Sequence, residues 1–347
     1  MNLAAHVIAL VLPALAWAQP GPEAVATYGE GPASYRILLR GALDIGNLDP
    51  AMRAFTAENP EIAVTLEQWN TNDLAAIAAA ACRGDAPPAD LVMSSAVDQQ
   101  VKLVNDGCAQ PYTSPATLAL PPERNWRGEL FGLTRESAVM VYNRALVPPE
   151  DAPVSRFDLL DLLRRDDGAY RGRVATYDIE ASGIGYLFAF LDSTQATTFG
   201  RLIEAFGRTG AVATCCSAEI VDAVGRGDYL IGYNVLRPYA MARAEMNPNI
   251  GVVAPSDYTL VLSRAAFIPK AAPSPGAAGA LIDFLLHPAG QRALTDTFVN
   301  EPEAAATVRG GAAIRYVPLN PVLLVGLDRQ KRAQLLALWR RTFPPGR

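Results

Sequence analysis

Histidine is almost missing from this 347-residue chain: only His6 and His287 occur. A Ser-His-Asp or Cys-His nucleophile would have to be built on one of them. His287 sits in Leu285-Leu286-His287-Pro288, at the end of a predicted helix, where a cation complements the helix dipole with no catalytic part. HExxH, GxSxG, Walker, Ser-x-x-Lys and post-strand GxGxxG patterns are absent too, which removes the common hydrolase, phosphotransferase and dinucleotide classes. The acid pair Asp166-Asp167 lies beside Arg164-Arg165 in a charged run and reads as a solvated face. Nothing in these patterns demands catalysis, so the chain is not expected to be an enzyme, and neither a cofactor nor a resident metal is expected. Basic excess is lacking as well. A net charge of −5 leaves no electrostatic footprint for nucleic acid.

Long apolar runs are missing beyond the first eighteen residues, so no membrane span is expected. The early run is different. Val7 to Ala16 is apolar, broken by Pro13, and Ala16-Trp17-Ala18 puts small residues where a signal peptidase reads. Residues 1–18 are expected to be a cleaved secretory leader, which places the product in the periplasm. Lipid anchoring is not expected, because no cysteine stands at the cleavage point. In such a compartment disulfides are permitted. Cysteine is scarce, at four residues: Cys82, Cys108, Cys215 and Cys216. Cys82 and Cys108 end two predicted helices on either side of one strand, so a bridge between them is possible, as are two buried thiols. The adjacent Cys215-Cys216 fit either a vicinal disulfide or a packed turn.

What the chain has is ordinary globular content, half hydrophobic and 19% charged, and enough length for two cores. Residues 19–33, rich in Gly, Pro, Ala and Glu, predict a flexible segment. Three strand–helix units follow: strands at 35–39, 62–69 and 90–93, helices at 51–58, 72–83 and 97–105. Such a series makes a parallel sheet with helices on both faces. At Leu130–Leu133 and Ser137–Tyr142 two strands come in succession without a helix, so the chain crosses into a second lobe near Thr134-Arg135-Glu136. A second α/β series fills 136–263. The strands near 258–268 return, and the last helices are expected on the first lobe. The expected fold class is α/β, two lobes each built on a mainly parallel sheet, with lobe 1 at 34–135 plus 264–347, lobe 2 at 136–263, and a multi-strand hinge.

In open parallel sheets ligands sit beyond the carboxyl ends of the strands. That rule selects Gly41, Ala42, Leu43 and Asp44 after the first strand, and Ser94 and Ser95 after the third. In the second lobe it selects Ser182-Gly183-Ile184-Gly185 before a helix, and Asn234 to Arg237 after a strand. Ser182 and Gly183 offer a hydroxyl and a backbone N–H at a helix start, suited to an anion; an ordinary N-cap also explains them. Arg237 would neutralise the anion with a planar fork, and Asn234 would orient it. Glu136 at the crossover and Tyr258 on a returning strand complete the candidate set.

Several segments in order then resemble one family. They are Asp90-Leu91-Val92-Met93-Ser94-Ser95, Val139-Met140-Val141-Tyr142-Asn143-Arg144, Gly172-Arg173-Val174-Ala175-Thr176 leading to Ser182-Gly183, and Ala280 to Gly290-Gln291. Together they resemble the solute-binding proteins of the ferric-iron-type (type 2) ABC transporter class, over about Tyr35 to Thr297. The resemblance implies a type II periplasmic binding fold that closes on its ligand and delivers it to an inner-membrane permease, as a monomer. Ferric binders of this class carry Asn-x-Tyr-Tyr; here the stretch reads Asn234-Val235-Leu236-Arg237, without either tyrosine. The class's anion pocket corresponds to Ser182, Gly183 and Asn234. An organic anion, a phosphorylated metabolite, phosphonate or carboxylate, is thus the expected ligand, with ferric iron or another metal ion as the alternative. The Cys215-Cys216 region also resembles members associated with sensor kinases, which makes a kinase-linked accessory role a second alternative.

Overall fold

The computed structural model describes residues 21–29, 33–165, 168–195, 198–297, 300–301 and 313–343. The expected leader at 1–18 and the pair Asp166-Asp167 lie outside them. Among the described residues no helix is long and apolar enough to cross a membrane.

The first lobe grows from β2 (Tyr35–Gly41), α1 (Ile45–Glu58), β3 (Ile62–Gln68), α2 (Thr71–Arg83), β4 (Leu91–Ser94) and α3 (Val97–Asn105). Their strands run parallel, in the order β3-β2-β4, because each helix returns the chain to the same end of the sheet. α1 begins a turn and a half before its expected start, with Pro50 inside it. Its buried face, Leu48, Met52 and Phe55, recurs at helical spacing and decides the matter. Gly84, at φ 83°, closes α2 as a left-handed cap that glycine adopts without strain. The short helix α4 (Pro115–Leu118) and strands β5 (Asn125–Trp126) and β6 (Leu130–Gly132) complete this part of the chain.

One expectation fails at the front. Residues 24–28 form β1 (Ala24–Tyr28), antiparallel to β3 from Ala24 opposite Gln68 to Tyr28 opposite Val64. The segment 19–33 is therefore not simply flexible. Tyr28 is buried in the first core, and that anchors the strand.

The chain then crosses. β7 (Glu136–Asn143) opens the second lobe, followed by α5 (Arg156–Arg164), β8 (Val174–Tyr177), α6 (Gly183–Gln195) and α7 (Phe199–Thr209). β9 (Val212–Thr214), α8 (Ser217–Arg226), β10 (Ile231–Leu236), α9 (Arg237–Met246), β11 (Ile250–Val253) and β12 (Tyr258–Leu262) come next. β8, β9 and β10 run parallel, while β7 lies antiparallel to β10, β11 and β12. The return crosses at Ser263-Arg264 into β13 (Ala265–Phe267), which slots between β4 and β6. α10 (Pro275–Leu286) and α11 (Pro288–Asp296) then cover the first sheet beside α1.

The C-terminal segment departs from the expected lobe 1 of 34–135 plus 264–347. β14 (Ala313–Tyr316) pairs in parallel with β12 in the second sheet. α12 (Arg329–Thr342) packs Leu335 and Trp339 into the second lobe's core beside α7. Between them a strap crosses to the first lobe: Leu319 N–H donates to Glu123 O at 2.9 Å, and the turn Pro321–Val325 lies on α3. The apolar face of α12 explains its place, since Leu335 and Trp339 join the second core and Phe343 packs against Phe206.

The hinge is held by charge out of contact with water. Arg264 makes two 2.9 Å bonds to Glu136, and its Nη1 donates to the Ala42 carbonyl. Thr134 Oγ1 donates to Glu136 at 2.8 Å and accepts from Arg264 N–H at 2.9 Å. Asn300 and Glu301 run alongside, bonded to the backbone of Arg135 and Ser137. Breaking one member of such a pair costs about 3–5 kcal/mol.

Candidate functional site

Between the lobes lies an open cleft. Its first-lobe wall comes from the carboxyl ends of β2 and β3: Ala42, Leu43 and Asp44, then Gln68, Trp69, Asn70 and Thr71. Ser95 joins them after β4, and Glu23 is brought in by the start of β1. The second-lobe wall is Tyr177 at the end of β8, Ser182 and Ile184 at the start of α6, Cys215 to Ala218 at the start of α8, and Leu236 with Tyr239.

The lobes touch across this space. Thr71 Oγ1 accepts the Gly183 N–H at 2.8 Å, and Asn72 Nδ2 donates to the Glu180 carbonyl at 2.9 Å. Asp44 lies 3.5 Å from the Arg243 guanidinium. Gly183 suits this approach: a Cβ there would stand 2.4 Å from Gln99 Nε2, so the Gln99 amide would have to move aside. The chain is thus seen closed, with the Gly183 N–H serving the latch between lobes.

Cys215 and Cys216 are joined to each other, half-buried on the cleft wall. Cys216 occupies the N-cap of α8, and its side chain makes no cap bond. An ordinary Ser, Asn or Asp there would occupy one of the first-turn N–H groups. The disulfide leaves them without a side-chain cap in a stretch, Cys215 to Ala218, that lines the cleft, and adds an apolar surface beside them. Cys82 is joined to Cys108, well away from this wall.

The phenols are neutral hydroxyls. Tyr177 is shifted well above its ordinary value by burial, its hydroxyl paired with Ser217 Oγ. Burial pushes Tyr239 up to about 12, partly opposed by Arg264 and helped by Asp44. The lining carries two carboxylates, Glu23 and Asp44, and no lysine or arginine. Among the described residues no cluster of three or more His, Cys, Asp or Glu is set to hold a metal ion.

Of the residues selected from sequence, Ala42, Ser95 and Ser182 line the cleft. Gly41 lies just behind it at the end of β2, and Gly183 forms the latch. Ser94 is buried, its Oγ accepting from Ala96 N–H at 3.1 Å. Four others are elsewhere. Glu136 belongs to the hinge pair with Arg264. Arg237 opens α9 and reaches Glu301, at 3.9 Å. Asn234 sits at an irregularity in β10 with φ 59°, which turns it behind the sheet, where its Nδ2 donates to Asp192 at 2.6 Å. Tyr258 donates to Asp192 at 2.5 Å, with the Arg156 guanidinium 3.7 Å from its ring centre. His287 is also reassigned: its Nδ1 accepts from Ala289 N–H at 3.3 Å and caps α11 rather than acting as a cation for α10.

Sequence reasoning missed Trp69, Asn70, Thr71, Tyr177 and Tyr239. The first four follow strand ends and were reachable by the rule that found Ala42. Tyr239 was not, because α9 went unrecognised.

A two-sheet fold, a strand-crossed hinge and a cleft lined by helix starts define a class that captures small molecules between lobes. The chain belongs to the family of bacterial extracellular solute-binding proteins, whose profile matches residues 46–292. A substrate binding protein of an ABC transporter from Agrobacterium tumefaciens is similar at 32% identity, with TM-score 0.86 over 93% of this chain and 99% of that one. The periplasmic binding protein AfuA of Actinobacillus pleuropneumoniae, solved with exogenous fructose-6-phosphate bound, shares the fold. Its TM-score is 0.70 at 16% identity, over 90% of this chain and 99% of its own. Iron-bound HitA from Pseudomonas aeruginosa does so too, at 17% identity and TM-score 0.66, over 89% and 99%. No curated protein matches the chain. The type II periplasmic binding fold expected from the sequence is the one observed.

Proposed function

We propose that this chain is the solute-capturing component of an ABC transporter, exported to the periplasm with removal of residues 1–18, and that it delivers a small organic anion to an inner-membrane permease. The observation that carries the ligand class is the start of α8. Its first-turn N–H groups lack a cap from the Cys216 side chain, belong to residues that line the cleft, and lie at the positive end of the helix dipole. Such a site takes a phosphate, phosphonate or carboxylate without any arginine. The far wall has the opposite character. Asp44 and Glu23 accept hydrogen bonds, so the solute carries hydroxyl or amino groups at its other end. Trp69, Tyr239 and the disulfide supply apolar faces for its body.

Ferric iron fits less well. It wants anionic oxygen donors, and Tyr177 and Tyr239 hold their protons firmly. The test is thermal melting of the protein against phosphate esters, phosphonates, carboxylates and ferric citrate. A solute at about a hundred times its Kd adds roughly 2.7 kcal/mol. A shift with one organic anion alone is the expected result; a shift only with ferric citrate would transfer the assignment to the metal.

A further inference from the structure

α3 of the first lobe packs against α6 and against the strap turn Pro321–Val325, both carried by chain anchored in the second sheet. In that contact lies Asp98, 1% exposed, with no hydrogen-bond partner on its Oδ1. A bare carboxylate oxygen in such a place is costly, so its charge depends on whether water reaches it.

Few charges face it. From α6 comes Tyr186, whose hydroxyl donates to the Gly326 carbonyl and whose proton is held by burial, its pKa pushed up to about 12. From α12 comes Arg332, with its guanidinium 4.5 Å from the centre of the Tyr186 ring. Asp328 acts on Tyr186 from the same end. The strap turn brings only proline, valine and leucine, and β6 and β13 bring no titratable side chain. On α2, Asp73 is bonded by Asn70 and Arg83 is paired with Asp85. Along α3 itself, Lys102 is paired with Asp106.

We propose that Asp98 is a proton-binding site that ties protonation to closure of the cleft. The proposal rests on the reading of the chain as a two-lobed binder that opens and closes. With the lobes apart, α6 and α12 withdraw, water reaches the carboxyl, and it titrates in the ordinary carboxylate range. With the lobes together, burial pushes it up to about 7, against the smaller opposing pull of backbone N–H groups and Arg332. The closed form then holds a proton that the open form has released. Closing is favoured by acid, and each unit of rising pH between about 4 and about 7 shifts the equilibrium up to tenfold toward the open form. Below and above that window the dependence vanishes. Solute affinity inherits the slope, because capture requires the closed form.

Two measurements test this on the solute-free protein. Small-angle X-ray scattering between about pH 5 and about pH 8 reads the closed fraction, and carbon-13 aspartate NMR reads the Asp98 titration itself. The expected result is a closed fraction that falls as pH rises toward 7 and is insensitive to pH in Asp98→Asn, which keeps the shape and removes the charge. An equal pH dependence in the wild type and the variant overturns the site. Should the variant not fold, the carboxyl resonance decides: a midpoint near 7 supports the proposal and one near 4 overturns it. A single radius of gyration at every pH, with Asp98 titrating near 7, overturns the moving-lobe reading instead, so the two failures are told apart.

Discussion

On the two sides of β10 the second lobe uses polar groups in opposite ways. Behind the strand, Arg156 is closed off from solvent and bonded to Tyr233 at 2.8 Å, to the Tyr258 carbonyl at 2.8 Å and to Asp192 and Asp257 at 3.3–3.4 Å. Asp192 in turn accepts from Tyr233, Asn234 and Tyr258 at 2.5–2.7 Å. In front of it, the cleft wall offers a disulfide, two neutral phenols, serine hydroxyls and the open start of α8. On the second lobe the full charges of this network lie behind β10, where they fix shape, while the carboxylates of the cleft lining, Glu23 and Asp44, come from the first lobe. The recognition surface is made from ring faces, hydroxyls and backbone donors, which need no partner of their own when the cleft is empty and wet. Substitutions on the two sides should therefore separate cleanly into effects on stability and effects on affinity.

The sharpest break of that division is Asp192→Ala. It strips one acidic partner from Arg156 and leaves three donors without their acceptor, so we expect a loss of about 3–5 kcal/mol in urea denaturation. A loss under about 1 kcal/mol would mean that the network is not a shared unit. The two disulfides give the next contrast. Cys82–Cys108 closes a loop with a sequence separation of 26. By loop entropy the double change Cys82→Ala/Cys108→Ala should cost about 3.5 kcal/mol while leaving solute affinity alone. Cys215–Cys216 closes almost no loop, so its removal should barely move the denaturation midpoint. Cys215→Ala/Cys216→Ser should even add about 0.5–1 kcal/mol, because serine caps α8. The same change should weaken binding of the responding anion about tenfold, or roughly 1.4 kcal/mol by calorimetry. Equal affinity in the serine variant would remove the start of α8 from the anion site.

The strand–helix alternation, the crossover near Thr134 and the closing rule at strand ends were all readable in sequence, since they follow from local periodicity. They led to Ala42, Ser95 and Ser182, which line the cleft. The failures have distinct causes. Asn234 was taken to face the ligand, but the irregularity between Gly232 and Val235 reverses its side; a one-residue slip in a strand exchanges faces, and periodicity does not announce it. Tyr258 and Arg237 were placed by their neighbourhood in sequence, whereas their partners Asp192 and Glu301 are 66 and 64 residues away. The C-terminal strand Ala313–Tyr316 could not be assigned to a sheet, because its mate β12 pairs across a long segment. β1 was hidden by its glycine- and proline-rich flanks, although Ala24 to Tyr28 buries Tyr28 at its end.

β1 has a practical consequence for anyone handling the molecule. Glu23 bonds through its N–H to the Gln68 carbonyl at 2.8 Å and accepts from the Gln68 side chain at 3.2 Å, at the very mouth of the cleft. Whatever is fused ahead of residue 21 emerges within about 7–10 Å of that mouth. A purification tag or dye attached there is therefore close enough to reach the entrance, whereas an exposed residue of α5, such as Phe157, gives a handle outside the cleft lining.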